Sequence, residues 1–327
     1  MEPTSTATAR APRRVGALLH NMALQDWVLI FFHALLLARS LGAADGPDAS
    51  MARRMAFTLL TVSMCTAAVV RGEILPPGRL RALIYRVGMF MPVLASYFEM
   101  RWLLPALHPV LLDAKLLAID ELLFGVTPSV WLVQFNTLHV IEWFSFFYYS
   151  YFTILTLVVL PSLFFDRGRR QIEALVGAMC VACLGHIGYS LVPGVGPYAA
   201  MIFQEPIQGG FWWSQVQYAV FGAGSMMDIF PSLHTAYPTF FALHAFGNRD
   251  RAPFKYVWPV LAFFAANIIV ATMLLRWHYG IDVVFGLMLA FTARRVSVWV
   301  ASREQDRSVT DDRQPVWEPL WLRNEQA

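Results

Sequence analysis

Eight apolar runs, each near the length that crosses a bilayer, recur along this chain and leave little room for any other architecture. They cover residues 27–41, 55–70, 83–104, 140–161, 172–192, 231–246, 256–275 and 281–300. In hydrocarbon a segment must satisfy its own backbone N–H and C=O groups, so runs of this length predict helices. Hydrophobic residues make up 57% of the 327 positions and charged residues 14%. A soluble domain has about half and about a quarter, so lipid must solvate the surplus. The fold class is therefore all-α: a polytopic membrane helix bundle of about eight spans.

Arginine placement predicts the orientation. One side of the bundle collects Arg10, Arg13, Arg14, Arg71, Arg79, Arg81, Arg167, Arg169, Arg170, Arg249, Arg251, Lys255, Arg294, Arg295, Arg303 and Arg307. The other has Arg39, Arg53, Arg54, Arg101, Lys115 and Arg276, and residues 193–228 carry no Lys or Arg. By the positive-inside rule both termini are cytoplasmic, with Arg53 and Arg54 the weakest fit. A plasma membrane is the expected setting.

Five regions follow. Residues 1–20, rich in Ala, Thr, Pro and Arg and without an apolar core, predict a disordered cytoplasmic tail rather than a signal peptide. Residues 21–104 hold the N-terminal membrane spans. Residues 105–139 are broken by Pro105, Pro109 and Pro128 and mix Asp113, Lys115, Asp120 and Glu121 with apolar positions, as an interfacial amphipathic segment does. Residues 140–300 form the catalytic membrane core, and 301–327 a polar cytoplasmic tail. That tail is read as disordered in preference to one that touches the membrane through Trp317 and Trp321.

A net charge of +3 argues against nucleic acid as a partner. Cys65, Cys180 and Cys183 all fall in apolar stretches and predict small core residues. No ligand-rich cluster suited to zinc or magnesium is evident, so neither a metal nor another cofactor is expected.

Two segments break the apolar background. Asp228-Ile229-Phe230-Pro231-Ser232-Leu233-His234 opens the sixth run, and Arg276-Trp277-His278-Tyr279-Gly280-Ile281-Asp282 enters the eighth. The arginine-based topology puts both at the outer face, so His234 and His278 can share a pocket. His278 and Asp282 are four apart, one helical turn. A carboxylate beside an imidazole fixes its tautomer and leaves the other nitrogen free to attack. Phosphorus is a suitable target, and His234 can then protonate the leaving oxygen. Ser232 and the backbone amides after Pro231 can bind phosphate oxygens, and Arg276 supplies a forked cation. Three ionisable residues at a span end are costly unless used. His33, His139, His186 and His244 are read as packing residues.

At these segments the sequence resembles the type 2 phosphatidic acid phosphatase superfamily, through Pro231-Ser232-Leu233-His234 and His278 with Asp282. The resemblance implies a six-helix catalytic core with His278 as nucleophile, Asp282 as its orienter and His234 as acid. Pro231 and Tyr279 join Ser232 and Arg276 as implied substrate-binding residues. Two cationic positions of the family are missing: no lysine–arginine–proline motif precedes Pro231, and Thr272 stands where phosphatases of the superfamily carry an arginine. The Pro/Gly turn at 193–197, the segment 120–128 and Phe147-Tyr148-Tyr149-Ser150-Tyr151 are similar to the inositol phosphorylceramide synthase branch, bacterial members included.

The expected activity is a lipid phosphoesterase or phosphotransferase. Its substrate is a membrane lipid phosphate or phosphodiester, its acceptor water or a lipid alcohol, and its intermediate a phosphohistidine at the extracytoplasmic face. The alternative is a transporter or lipid-binding protein that uses the same pocket without chemistry; a vanadate-dependent haloperoxidase is a remote third. The aromatic run Phe211-Trp212-Trp213 and residues 109–124 are candidate covers that keep water out.

Overall fold

The computed structural model describes residues 14–107, 110–309 and 316–321, and its regular elements are helices. The first four are α1 (Arg14–Asn21), α2 (Leu24–Leu41), α3 (Pro47–Arg71) and α4 (Arg79–Leu107). Then come α5 (Asp113–Phe124), α6 (Pro128–Trp131) and a 3-10 turn (Leu132–Phe135). The rest of the chain forms α7 (Leu138–Phe164), α8 (Gly168–Leu191), α9 (Gly196–Ala200), α10 (Phe211–Ala223), α11 (Leu233–Gly247), α12 (Phe254–Leu274) and α13 (Gly280–Val309).

Local chemistry sets several boundaries. Pro47 and Pro128 open α3 and α6, where a missing N–H costs nothing. Gly125, with φ of 76°, ends α5 in the left-handed conformation that glycine adopts without strain.

Among the described residues six helices are long and apolar enough to cross a membrane: α2, α3, α7, α8, α12 and α13. They mark the chain as an integral membrane protein. The other two expected runs are also helical but differ in kind. α4 has 29 residues yet carries Glu99 and Arg101 as well as three arginines near its start, and α11 has only 15 residues. Length and composition thus support six spans, or seven if α5 and Pro128–Phe135, bent by 70°, count as one.

α8 is the most buried of the six and forms the centre of the bundle. Its small residues let α11 come close. A Cβ on Gly185 would lie 2.4 Å from Leu233 Cδ2, and one on Gly188 would lie 2.3 Å from Pro231 Cδ. Close helix approach through small residues is a main source of packing where no water drives association. Here it seats the start of α11 against α8.

The end of the bundle away from the two motif segments is closed by ion pairs. Arg71 Nε lies 2.8 Å from Asp26 Oδ2, and its Nη2 lies 3.4 Å from Glu304 Oε1. Tyr85 donates to Asp26 Oδ1 at 2.6 Å. The C-terminal segment joins in: Val316 and Trp317 are buried, and Trp317 Nε1 donates to Glu304 Oε2 at 3.2 Å. Arg86 donates to the Trp317 and Glu318 carbonyls, and Arg81 pairs with Glu318 at 3.1 Å. Trp317 is therefore a packed residue, not part of a disordered tail or an interfacial anchor. The polar face of α13 also extends helix to Val309. Of the expected N-terminal tail, residues 14–21 are helical and 1–13 lie outside the described residues, as do 108–109, 310–315 and 322–327. Cys180 and Cys183 are buried, whereas Cys65 is exposed.

Candidate active site

The path of the last three helices brings the two motif segments together. α11 leaves the site, α12 returns, and α13 leaves again, so the starts of α11 and α13 lie side by side. Ser232 caps α11, its Oγ accepting from Thr235 N at 3.3 Å. Its own N–H donates to the Asp282 carbonyl at 3.0 Å and ties the two starts. His234 and His278 end with ring centroids 6.0 Å apart.

Both imidazoles line one cavity of ≈ 250 Å³. Behind His278 stands Asp282, fully buried, with Oδ2 3.4 Å from His278 Nδ1. That is long for a hydrogen bond. The nearer partner of the same oxygen is the Tyr279 N–H at 2.9 Å. His234 is held by aromatic faces: Tyr148 stacks on it at 4.3 Å, and Tyr151 lies at 4.2 Å. These tyrosines are three apart on α7 and so share a face. Asp228 also lines the cavity. Burial pushes its carboxyl above the usual carboxylate range, while the Tyr97 hydroxyl and the nearby His278 pull it back.

The remaining cavity wall is largely apolar. Phe90, Val93, Leu94 and Phe98 of α4 and Phe152 and Leu155 of α7 carry it into the bundle. Leu94, Phe98 and Phe152 are also partly exposed on the outside of the protein. A pocket with two imidazoles at one end and an apolar interior suits an amphiphile whose polar group reaches the histidines. Of the candidate covers, neither Phe211-Trp212-Trp213 nor the described part of 109–124 lines the cavity, although Ala219 and Val220 farther along α10 do. α10 is held at its start by Glu142, which accepts from Gly210, Trp212 and Trp213 N–H groups at 2.9–3.0 Å.

The four expected substrate-binding residues are placed differently: none lines the cavity. Ser232 is committed to its cap, and Pro231, following a cis peptide bond, packs on α8 at Gly188. Tyr279 is fully buried, and its hydroxyl donates to Asp113 Oδ1 at 3.1 Å. Burial and the Asp113 charge push that phenol further from ionisation. Arg276 turns away: Nη1 donates to the Glu205 carbonyl at 3.0 Å and the guanidinium sits 3.9 Å from the Phe203 ring centroid. The described residues that line the cavity include no Lys or Arg. Nor do three His, Cys, Asp or Glu side chains come together among the described residues as metal ligands would.

The positions that sequence reasoning passed over are Asp228, Tyr97, Tyr148 and Tyr151. The tyrosine pair had a signal in its spacing of three; Tyr97 and Asp228 meet only through the tertiary fold. His186, read as a packing residue, bonds Ser96 Oγ through Nδ1 at 2.9 Å and also lines the cavity.

Residues 114–296, more than half of the chain, match the family model described as the PAP2 superfamily. The chain belongs to the PAP2 superfamily. Members of the PAP2 superfamily are generally phosphatases or phosphotransferases, and the matched span contains every residue from Asp120 to Asp282 discussed above. No curated protein and no solved structure matches the chain.

Proposed function

We propose that this protein transfers or hydrolyses a lipid phospho-headgroup through a phosphohistidine on His278. The observation that carries the reading is the cavity that presents His278 and His234 together and continues as an apolar pocket. A lipid fits both halves: its phosphorus meets the imidazoles while a chain lies among Phe90, Val93 and Leu155.

The reaction has two steps. His278 attacks phosphorus, the bond to the leaving alkoxide breaks, and His234 gives that oxygen a proton. His234, now neutral, takes a proton from water or a lipid hydroxyl, whose oxygen attacks the phosphohistidine and frees His278. Asp282 keeps the His278 ring oriented and balances the charge it gains. The phosphoryl oxygens meet neutral donors, the hydroxyls of Tyr148 and Tyr151, in place of a cation. The apolar lining and the roof formed by α10 favour a lipid alcohol over water as acceptor. A lipid acceptor is what the resemblance to the headgroup-transferring inositol phosphorylceramide synthase-like branch also suggests. The arginine distribution puts the site at the extracytoplasmic face, with both termini cytoplasmic.

The test is brief mixing of purified protein with radiolabelled phosphatidate and, separately, a radiolabelled phospholipid diester. Acid-labile label on His278 supports the reading. Lipid binding that survives His278→Ala with no covalent label in the wild type points instead to a binding or transport role.

A further inference from the structure

We propose that Asp120 and Asp113 of α5 are positioning residues for the nucleophile, Asp120 clamping the backbone just after His278 and Asp113 bracing the turn that bears on the backbone just before it. The proposal rests on the reading of His278 as the nucleophile.

Asp120 is fully buried, and each of its carboxylate oxygens takes one backbone N–H of the catalytic helix. Oδ2 accepts from Gly280 and Oδ1 from Ile281, both at 2.8 Å. These are two of the donors that a helix start leaves unsatisfied, and a carboxylate there also suits the helix dipole. The helix's own Asp282 takes the preceding Tyr279 N–H, which leaves the next two donors to Asp120. Asp113 holds the other side. Its Oδ1 accepts from Gly196 N–H at 2.9 Å and from the Tyr279 hydroxyl, and its Oδ2 accepts from Val195 N–H at 3.0 Å. The turn at 194–197 in turn bears on the His278 segment, because Tyr198 N–H donates to the Arg276 carbonyl at 2.6 Å.

His278 itself sits outside a regular helix, two residues before α13. Its ring has one close side-chain orienter, Asp282, at a distance longer than a good hydrogen bond. Where the ring points therefore depends on where the backbone of 278–282 is fixed, and α5 fixes it from two points. Asp113, Leu116 and Asp120 are the buried residues of α5 and lie on one face at helical spacing. Ile119, Leu122 and Leu123 are exposed, an apolar outer face suited to the bilayer surface. None of α5 lines the cavity, so the helix acts through the backbone and not on the substrate.

The experiment measures the rate of His278 labelling per active site, with radiolabelled phosphatidate and phospholipid diester as the probes, in wild type, Asp120→Ala and Asp120→Asn. Misplacement of a reacting group by about 1 Å can cost about a hundredfold. Asp120→Ala is expected to lower the labelling rate and kcat by about that factor with KM little changed. Asp120→Asn, which keeps one acceptor oxygen, is expected to recover part of the loss and fall between the two. Should Asp120→Ala not fold, Asp120→Asn and Asp113→Asn carry the test. Per-site rates equal to wild type in the folded variants, with only the number of active sites reduced, overturn the proposal and leave Asp120 a stabilising residue. No label in the wild type overturns the phosphohistidine reading and this proposal with it.

Discussion

The two ends of the helix bundle both bury carboxylates, but they neutralise them in different ways. At the end away from the cavity, arginine does it: Arg71 meets Asp26 and Glu304, and Arg81 meets Glu318. At the cavity end, backbone amides do it: Asp113, Asp120, Glu142 and Asp282 each accept from main-chain N–H groups. The first arrangement consumes charge and closes the bundle. The second fixes the backbone beside a cavity whose described lining residues include Asp228 and the histidines but no Lys or Arg. A buried ionisable group in a membrane protein is often a sign of function. In this molecule the kind of partner, arginine or amide, separates structure from chemistry.

Substitutions at the two ends should then differ in kind, the largest effects coming first. His278→Ala is expected to remove the covalent intermediate and lower turnover about a million-fold, measured by labelling and product release. Asp282→Asn, which keeps the shape but offers the ring the wrong partner, should cost about ten-thousand-fold in kcat. His234→Ala should cost about a thousandfold, less so for substrates with a good leaving group, which need no acid. At the opposite end, Asp26→Ala leaves Arg71 with one fewer carboxylate and should lower stability by about 3–5 kcal/mol in a detergent unfolding assay. Its turnover per active site should stay within about twofold, because the two ends are remote. Arg276→Gln is expected to change kcat/KM by less than about threefold. A hundredfold loss there would restore Arg276 as the phosphate clamp and break the contrast between the ends.

Much of this was legible in the sequence, and the reasons differ by region. Apolar length and arginine placement announced a helical membrane protein, because lipid imposes both on any chain that crosses it. The spacing of His278 and Asp282 and the Pro-Ser-x-His segment announced the cavity pair. Arg276 misled because adjacency in sequence does not set direction: with φ of 65° its side chain is carried away from His278 and onto Phe203. Trp317 misled because a polar neighbourhood hides a single buried anchor. Asp120 could be read only as part of an amphipathic segment, since its partners, Gly280 and Ile281, are more than a hundred positions away.

The docking of the C-terminal segment has a consequence for how the molecule is made. Asp26, Arg71 and Tyr85 are made well before Glu304 and Trp317, which complete their network. Membrane insertion of the earlier helices can proceed while Arg71 still lacks one of its two carboxylates, so the bundle stays unlocked at that end until residues 304–317 have been made. Nascent chains stalled before residue 304 would therefore carry a loose end that quality-control proteases can grip, whereas chains that include that segment would not.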